Sequence, residues 1–147
     1  MGAIAPLPGT FHHIGFVVAS IQGSVPGFLQ SLDAKWDEKI FHDPNQVVRV
    51  TFLQSRTPGN PVIELVEPAG DDSPVIPFLR RGGGLHHLCY EIDSLEDQLQ
   101  LSRAQRGIIV RPPLPAVAFE GRRIAWVYTR NKLLVEYLER PLRPAQE

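Results

Sequence analysis

Short apolar runs alternate with polar breaks along the chain, and the runs come twice. Phe11-His12-His13-Ile14-Gly15-Phe16-Val17-Val18 is answered by Leu85-His86-His87-Leu88-Cys89-Tyr90-Glu91-Ile92. Val62-Ile63-Glu64-Leu65-Val66-Glu67 is answered, at nearly the same offset, by Leu134-Val135-Glu136-Tyr137-Leu138-Glu139. Such self-similarity fixes an architecture more firmly than local propensity does. The β-branched and aromatic residues that open each half predict a strand. A helix is expected next, opening at Ser20 or Ser24 in the first half and at Ser94 in the second. There Ser94-Leu95-Glu96-Asp97 sets an acid to answer the N-cap serine, and Gly107 stands where the helix should end. Three more strands are predicted per half, near Lys39–Phe41, Val47–Leu53 and Val62–Glu67, then near Ile108–Arg111, Ile124–Thr129 and Leu133–Leu138. Each half reads βαβββ, with module one over about 10–70 and module two over about 84–140 of a single domain, 1–147.

Neighbouring side chains of a strand face opposite sides of a sheet, so alternation assigns faces. Ile14, Phe16 and Val18, repeated as Leu88, Tyr90 and Ile92, form the bulky row expected under the helix. His13 and His87 fall on the other row beside the small Gly15 and Cys89, where there is room for a ligand, and His12 and His86 are expected to point the opposite way. In the last strands Glu64 lies between Val62 and Val66, and Glu136 between Leu134 and Leu138. A carboxylate in an apolar row is costly unless it is paired, hydrogen-bonded or coordinating a cation, and here one recurs at the same place in each half. One shared divalent metal held by His13, Glu64, His87 and Glu136 satisfies both. Two imidazole nitrogens and two carboxylate oxygens suit Mn, Co, Fe, Ni or Zn and leave positions for water or substrate on an octahedral ion.

Composition narrows the partners. With 147 residues, 43% of them hydrophobic, the chain can build a core without staples. Fifteen basic residues against sixteen acidic give a net charge of -1, so no basic face is available to follow a nucleic-acid backbone. The single cysteine, Cys89, can form no internal disulfide, which suits a reducing cytoplasm. Met1 to Thr10 has neither the basic start nor the apolar run of a signal peptide or membrane anchor and reads as a loose lead-in. Pro6 stands where a myristoylation signal starting at Met1-Gly2 would want Ser or Thr.

The segments His12-His13-Ile14-Gly15, Val62-Ile63-Glu64-Leu65-Val66-Glu67-Pro68, Gly84-Leu85-His86-His87-Leu88-Cys89 and Leu133-Leu134-Val135-Glu136 resemble the vicinal oxygen chelate superfamily, in particular its methylmalonyl-CoA epimerase and glyoxalase I-like branch. Asp72-Ser73-Pro74 followed by Phe78-Leu79 is similar to the linker of that branch, and the likeness runs from about Phe11 to Glu139. The resemblance implies an α+β fold in which two βαβββ modules form an eight-stranded cup with a metal at its floor. It implies an epimerase or isomerase that moves a proton next to a metal-held carbonyl of a small substrate, a CoA or other acyl thioester or a 2-oxo compound, with Glu136 as a catalytic base. A glyoxalase I-like lyase and a non-catalytic small-molecule-binding protein of the same fold are the alternatives. Four protein ligands speak against an extradiol dioxygenase, whose sites resemble two His and one carboxylate. The paired-module relatives also imply a homodimer.

An epimerase of this kind wants a base on each face of the reacting carbon. Alignment of the Pro44–Val50 loop puts Asn45 where the relatives carry a glutamate, and asparagine cannot take up a proton. Asp43, Glu120 and His42 are the remaining candidates for the second base. Arg80-Arg81-Gly82-Gly83-Gly84 and the Arg122-Arg123 pair could meet a phosphate, but with no helix N-terminus directly after the glycines the run reads rather as a flexible tether between the halves. Phe119, Trp126 and Tyr128 are candidate cleft residues, and Cys89 reads as a packing residue rather than a nucleophile.

Overall fold

In the computed structural model, which describes residues 5–141, the strand that opens each half lies beside its counterpart. β1 (Gly9–Val17) runs antiparallel to β6 (Gly84–Ile92) at the centre of a mixed sheet. Each is flanked on its outer side by a parallel partner, β1 by β5 (Val62–Pro68) and β6 by β9 (Leu134–Glu139). Outward from β5 follow β4 (Val48–Gln54) and the two-residue β2 (Lys35–Trp36), with β3 (Phe41–Asp43) also paired to β4. Outward from β9 follow β8 (Arg123–Tyr128) and β7 (Ile108–Pro115). The sheet is open, α+β, and has nine strands rather than eight: β3 overlaps the expected Lys39–Phe41 strand at Phe41, and the two-residue β2 before it is additional.

Two helices follow the opening strands. α1 (Ile21–Ser31) is capped by Ser20, whose hydroxyl accepts from the Gly23 amide at 3.1 Å, which settles the start between the two serines. With Gly23, Pro26 and Gly27 inside it, α1 has little intrinsic helicity and is held by packing of Ile21, Val25 and Phe28 against Leu53, Leu65 and Phe16. α3 (Leu95–Ala104) is capped by Ser94 through the Asp97 amide at 3.2 Å, and its Leu95 and Leu99 pack on Ile92, Ala125 and Val127. It ends one step earlier than Gly107: Arg106 takes the left-handed conformation, and the Gly107 amide closes on the Ser102 carbonyl at 2.8 Å. Between the halves lies a short helix, α2 (Ile76–Arg80), followed by Gly82, Gly83 and Gly84, all at positive φ. A Cβ on Gly83 would stand 2.8 Å from the Val17 carbonyl oxygen, so the glycines form the turn that lets β6 start beside the end of β1.

Of the bulky row, Phe16 and Val18 pack on the α1 side and Ile92 under α3, while Ile14, Leu88 and Tyr90 are half-buried. The opposite face carries Val17, Val48, Val50 and Val66 on one flank and Cys89, Ile124 and Leu138 on the other. β7 runs farther than Arg111, through Pro112, Pro113 and Pro115, which an edge strand tolerates. Of the expected lead-in, Gly9 and Thr10 already belong to β1 and residues 5–8 precede it without regular structure; Met1–Ile4, including the Met1-Gly2 start, lie outside the described residues. Among the described residues no helix is long and apolar enough to cross a membrane.

Ser20→Ala and Ser94→Ala are each expected to cost about 1 kcal/mol of unfolding free energy. Urea denaturation reads this; the cap assignments are wrong for any serine whose removal leaves the midpoint unchanged.

Candidate metal centre and its cavity

Two register shifts in the β1–β6 pair shape the site. Phe11 faces Tyr90 and His13 faces Cys89, leaving His12 as an extra residue; Gly15 faces His87 and Phe16 faces Leu85, leaving His86 as an extra residue. These are β-bulges at matched positions, and a bulge re-aims a side chain that simple alternation would send to the other face. The expectation that His12 and His86 point away is therefore overturned. His12 Nδ1 lies 2.8 Å from His13 Nδ1, and His86 Nδ1 lies 2.9 Å from His87 Nδ1. His86 lines the cavity, with its ring against Phe78 and near Trp126, while the His12 ring meets Phe119 edge-on.

His13, Glu64, His87 and Glu136 are all buried and meet at one point on the helix-free face. His13 Nε2 stands 3.3 Å from His87 Nε2, 3.5 Å from Glu64 Oε1 and 3.2 Å from Glu136 Oε1. His87 Nε2 is 3.1 Å from Glu64 Oε1 and 3.9 Å from Glu136 Oε1. Donors about 2.1 Å from one ion are separated by about 3.0 Å at right angles and about 3.4 Å at tetrahedral angles, and four of the five separations come near these values. A second observation agrees: Glu136 Oε1 is buried and accepts no hydrogen bond although His13 Nε2 stands 3.2 Å away. The donor set and its spacing fit a divalent metal.

Electrostatics tie the four together. Burial pushes the His13 imidazole down, but the Glu64 carboxylate, with the Cys89 and Glu136 side chains beside it, outweighs this and raises its pKa well above the ordinary value. Burial alone would raise Glu64, yet His13 and His87 hold it well below the usual carboxylate range. Desolvation, reinforced by His87, lowers His86 to about 4, and desolvation with His13 lowers His12. Both outer histidines are thereby kept neutral, able to accept the Nδ1 proton of their inner neighbours. Burial, then Glu136, pushes the Cys89 thiol up, as expected of a packing residue.

The sequence also contains the reason His87 can reach the centre. A Cβ on Gly15 would overlap the His87 ring, so only glycine fits there, whereas the matched Cys89 packs beside His13. An open cavity leads to Glu64, His87 and Glu136, which the fully buried His13 joins. Phe119 and Trp126 line it; Tyr128 is exposed and does not. Asn45 is exposed and outside the lining, and Gln46 occupies the cavity side of that turn, accepting from Trp126 Nε1 at 3.2 Å. Of the candidates for a second base, His42 and Glu120 are exposed and away from this cavity. Asp43 does line it, but its carboxylate accepts from the Asn45, Gln46 and Val117 amides and from the Gln46 side chain. Arg122 and Arg123 are taken up by Glu91, Glu96 and Glu139.

Gly15→Ala should lower stability by about 1–3 kcal/mol through overpacking against the His87 ring. Chemical denaturation checks this, and an unchanged midpoint would show that the ring is free to move.

The match of the model for the Glyoxalase/Bleomycin resistance protein/Dioxygenase superfamily covers residues 12–126. The mitochondrial methylmalonyl-CoA epimerase of Dictyostelium discoideum is 28% identical over 139 residues, 90% of this chain and 79% of that protein. The uncharacterized protein YqjC of Bacillus subtilis is 35% identical over 131 residues, 86% of this chain and 89% of that protein. Among solved structures, the methylmalonyl-CoA epimerase of Mycobacterium tuberculosis superposes with a TM-score of 0.77 at 22% identity, over 97% of this chain and 94% of that one. A variant of the Streptomyces coelicolor methylmalonyl-CoA epimerase, in complex with 2-nitronate-propionyl-CoA, does so with a TM-score of 0.73 at 20% identity, over 90% and 97%. Repeat, sheet and sequence agree, and the chain belongs to the Glyoxalase/Bleomycin resistance protein/Dioxygenase superfamily.

Proposed function

We propose that the protein is a metal-dependent epimerase or isomerase that moves a proton on the carbon next to the carbonyl of an acyl thioester or 2-oxo substrate. The convergence of His13, Glu64, His87 and Glu136 at the end of an open cavity carries this reading. Epimerase relatives, and the acyl-CoA analogue in the Streptomyces coelicolor complex, support it. These four residues would hold one divalent cation of the Mn, Co, Fe, Ni or Zn group. Bound there, the cation supplies fixed positive charge for the carbonyl oxygen on which negative charge gathers as the proton leaves. His12 and His86 fix the tautomers of His13 and His87, so that each Nε2 is free to bind. Glu64 is engaged by both imidazoles, whereas Glu136 turns Oε1 toward the centre and lines the cavity; its other carboxylate oxygen is assigned as the base that takes the α-proton. Phe119 and Trp126 exclude water from the reacting carbon. The reading includes a homodimer in the cytoplasm, whose mass light scattering would report.

Asp43 favours a second reading. With its carboxylate occupied by four donors and Asn45 outside, Glu136 works without a carboxylate on the opposite face, as a one-base isomerase or lyase would.

Metal analysis of the purified protein should find one divalent cation per chain, lost in His87→Ala; equal content in both removes the basis of the proposal. Incubation of methylmalonyl-CoA with loaded protein in deuterated water should exchange the α-proton. Glu136→Gln should slow exchange by about a hundredfold or more at matched metal content. Exchange with inversion marks an epimerase and exchange with retention a one-base enzyme. A protein that binds the thioester and exchanges nothing is a binder, contrary to the proposal.

A further inference from the structure

The geometry points to Arg111 as the residue that recognises an anionic group of the substrate, a carboxylate or phosphate, at the cavity. This rests on the reading of the cavity as a substrate site and names the charge that substrate must carry. Arg111 sits opposite Trp126 in the β7–β8 register, just past a shift between Ile109 and Arg111, and residues directly opposite in an antiparallel pair share a face. Trp126 lines the cavity, and Arg111 lines it too, as the only Lys or Arg among the described residues that do so.

Its partners set it apart. The partly buried arginines Arg49, Arg122, Arg123 and Arg140 each form an ion pair at 3.2 Å or less. Among the described residues, Arg111 has no carboxylate within ion-pair distance, and its one hydrogen bond runs from Nη1 to the Asn45 carbonyl oxygen at 3.4 Å. A guanidinium carries five donors in a planar fork, so most of them stay free. The Asn45 contact steadies the side chain between the second-half strand and the first-half turn while leaving the fork open to a bidentate acceptor. The cavity's acids do not compete: Asp43 is filled by four donors, and Glu64 and Glu136 point at the metal centre. A substrate anion is the missing partner.

Two sources of that anion separate by calorimetric titration of the metal-loaded full chain with malonyl-CoA, malonyl-pantetheine and propionyl-CoA. Arg111→Gln should weaken malonyl-CoA binding about tenfold or more, and Arg111→Lys should restore part of the loss. The same loss with malonyl-pantetheine but not propionyl-CoA identifies the acyl carboxylate; the converse identifies a CoA phosphate. Equal affinity of wild type and Arg111→Gln for all three overturns the inference and leaves the proposed function standing. A wild type that holds its cation yet binds none of the three overturns both this inference and the thioester reading.

Discussion

Two carboxylates and two imidazoles are buried within van der Waals reach of one another, and the rest of the structure serves that constraint. Burying a carboxylate without compensation costs several kcal/mol, and the sheet buries two of them side by side. Partial compensation comes from the imidazoles, as the raised His13 and depressed Glu64 show. Glu136 Oε1, buried without a hydrogen bond, marks where that compensation stops short.

Duplication lets one set of local rules build both sides of the centre. Placing β1 against β6 brings His13 and His87 together from matched positions, and the parallel partners β5 and β9 deliver Glu64 and Glu136 in the same way. Each side uses a strand with a bulge followed by a capped helix. Symmetry breaks where space demands it. Gly15 makes way for the His87 ring while Cys89 fills the matched position, and the β3–β4 turn organised by Asp43 has its cavity face covered by Gln46.

Much of this is legible in the sequence because alternation and repetition are strong signals. β4, β5, β8 and β9 lie within a residue of the strands read from their apolar runs, and all four predicted ligands meet. The dipeptides His12-His13 and His86-His87 are visible, but strict alternation assigns their first members to the wrong face. A bulge depends on pairing between strands about half a chain apart and leaves no mark on the period of either strand. β2 and α2 escape for a different reason: two and five residues are too few to show periodicity. Arg111 carries no sequence signal because its distinction, among the described residues, is the absence of a carboxylate partner, a property of three-dimensional surroundings alone. Asn45 stands out by alignment, whereas the fold turns Gln46 inward.

Anomalous diffraction from crystals of the cobalt-loaded protein tests the central claim most directly. The result expected is a single peak about 2.0–2.2 Å from His13 Nε2, His87 Nε2 and one oxygen each of Glu64 and Glu136. A peak elsewhere, or one ligated while any of these four side chains turns away, would contradict it.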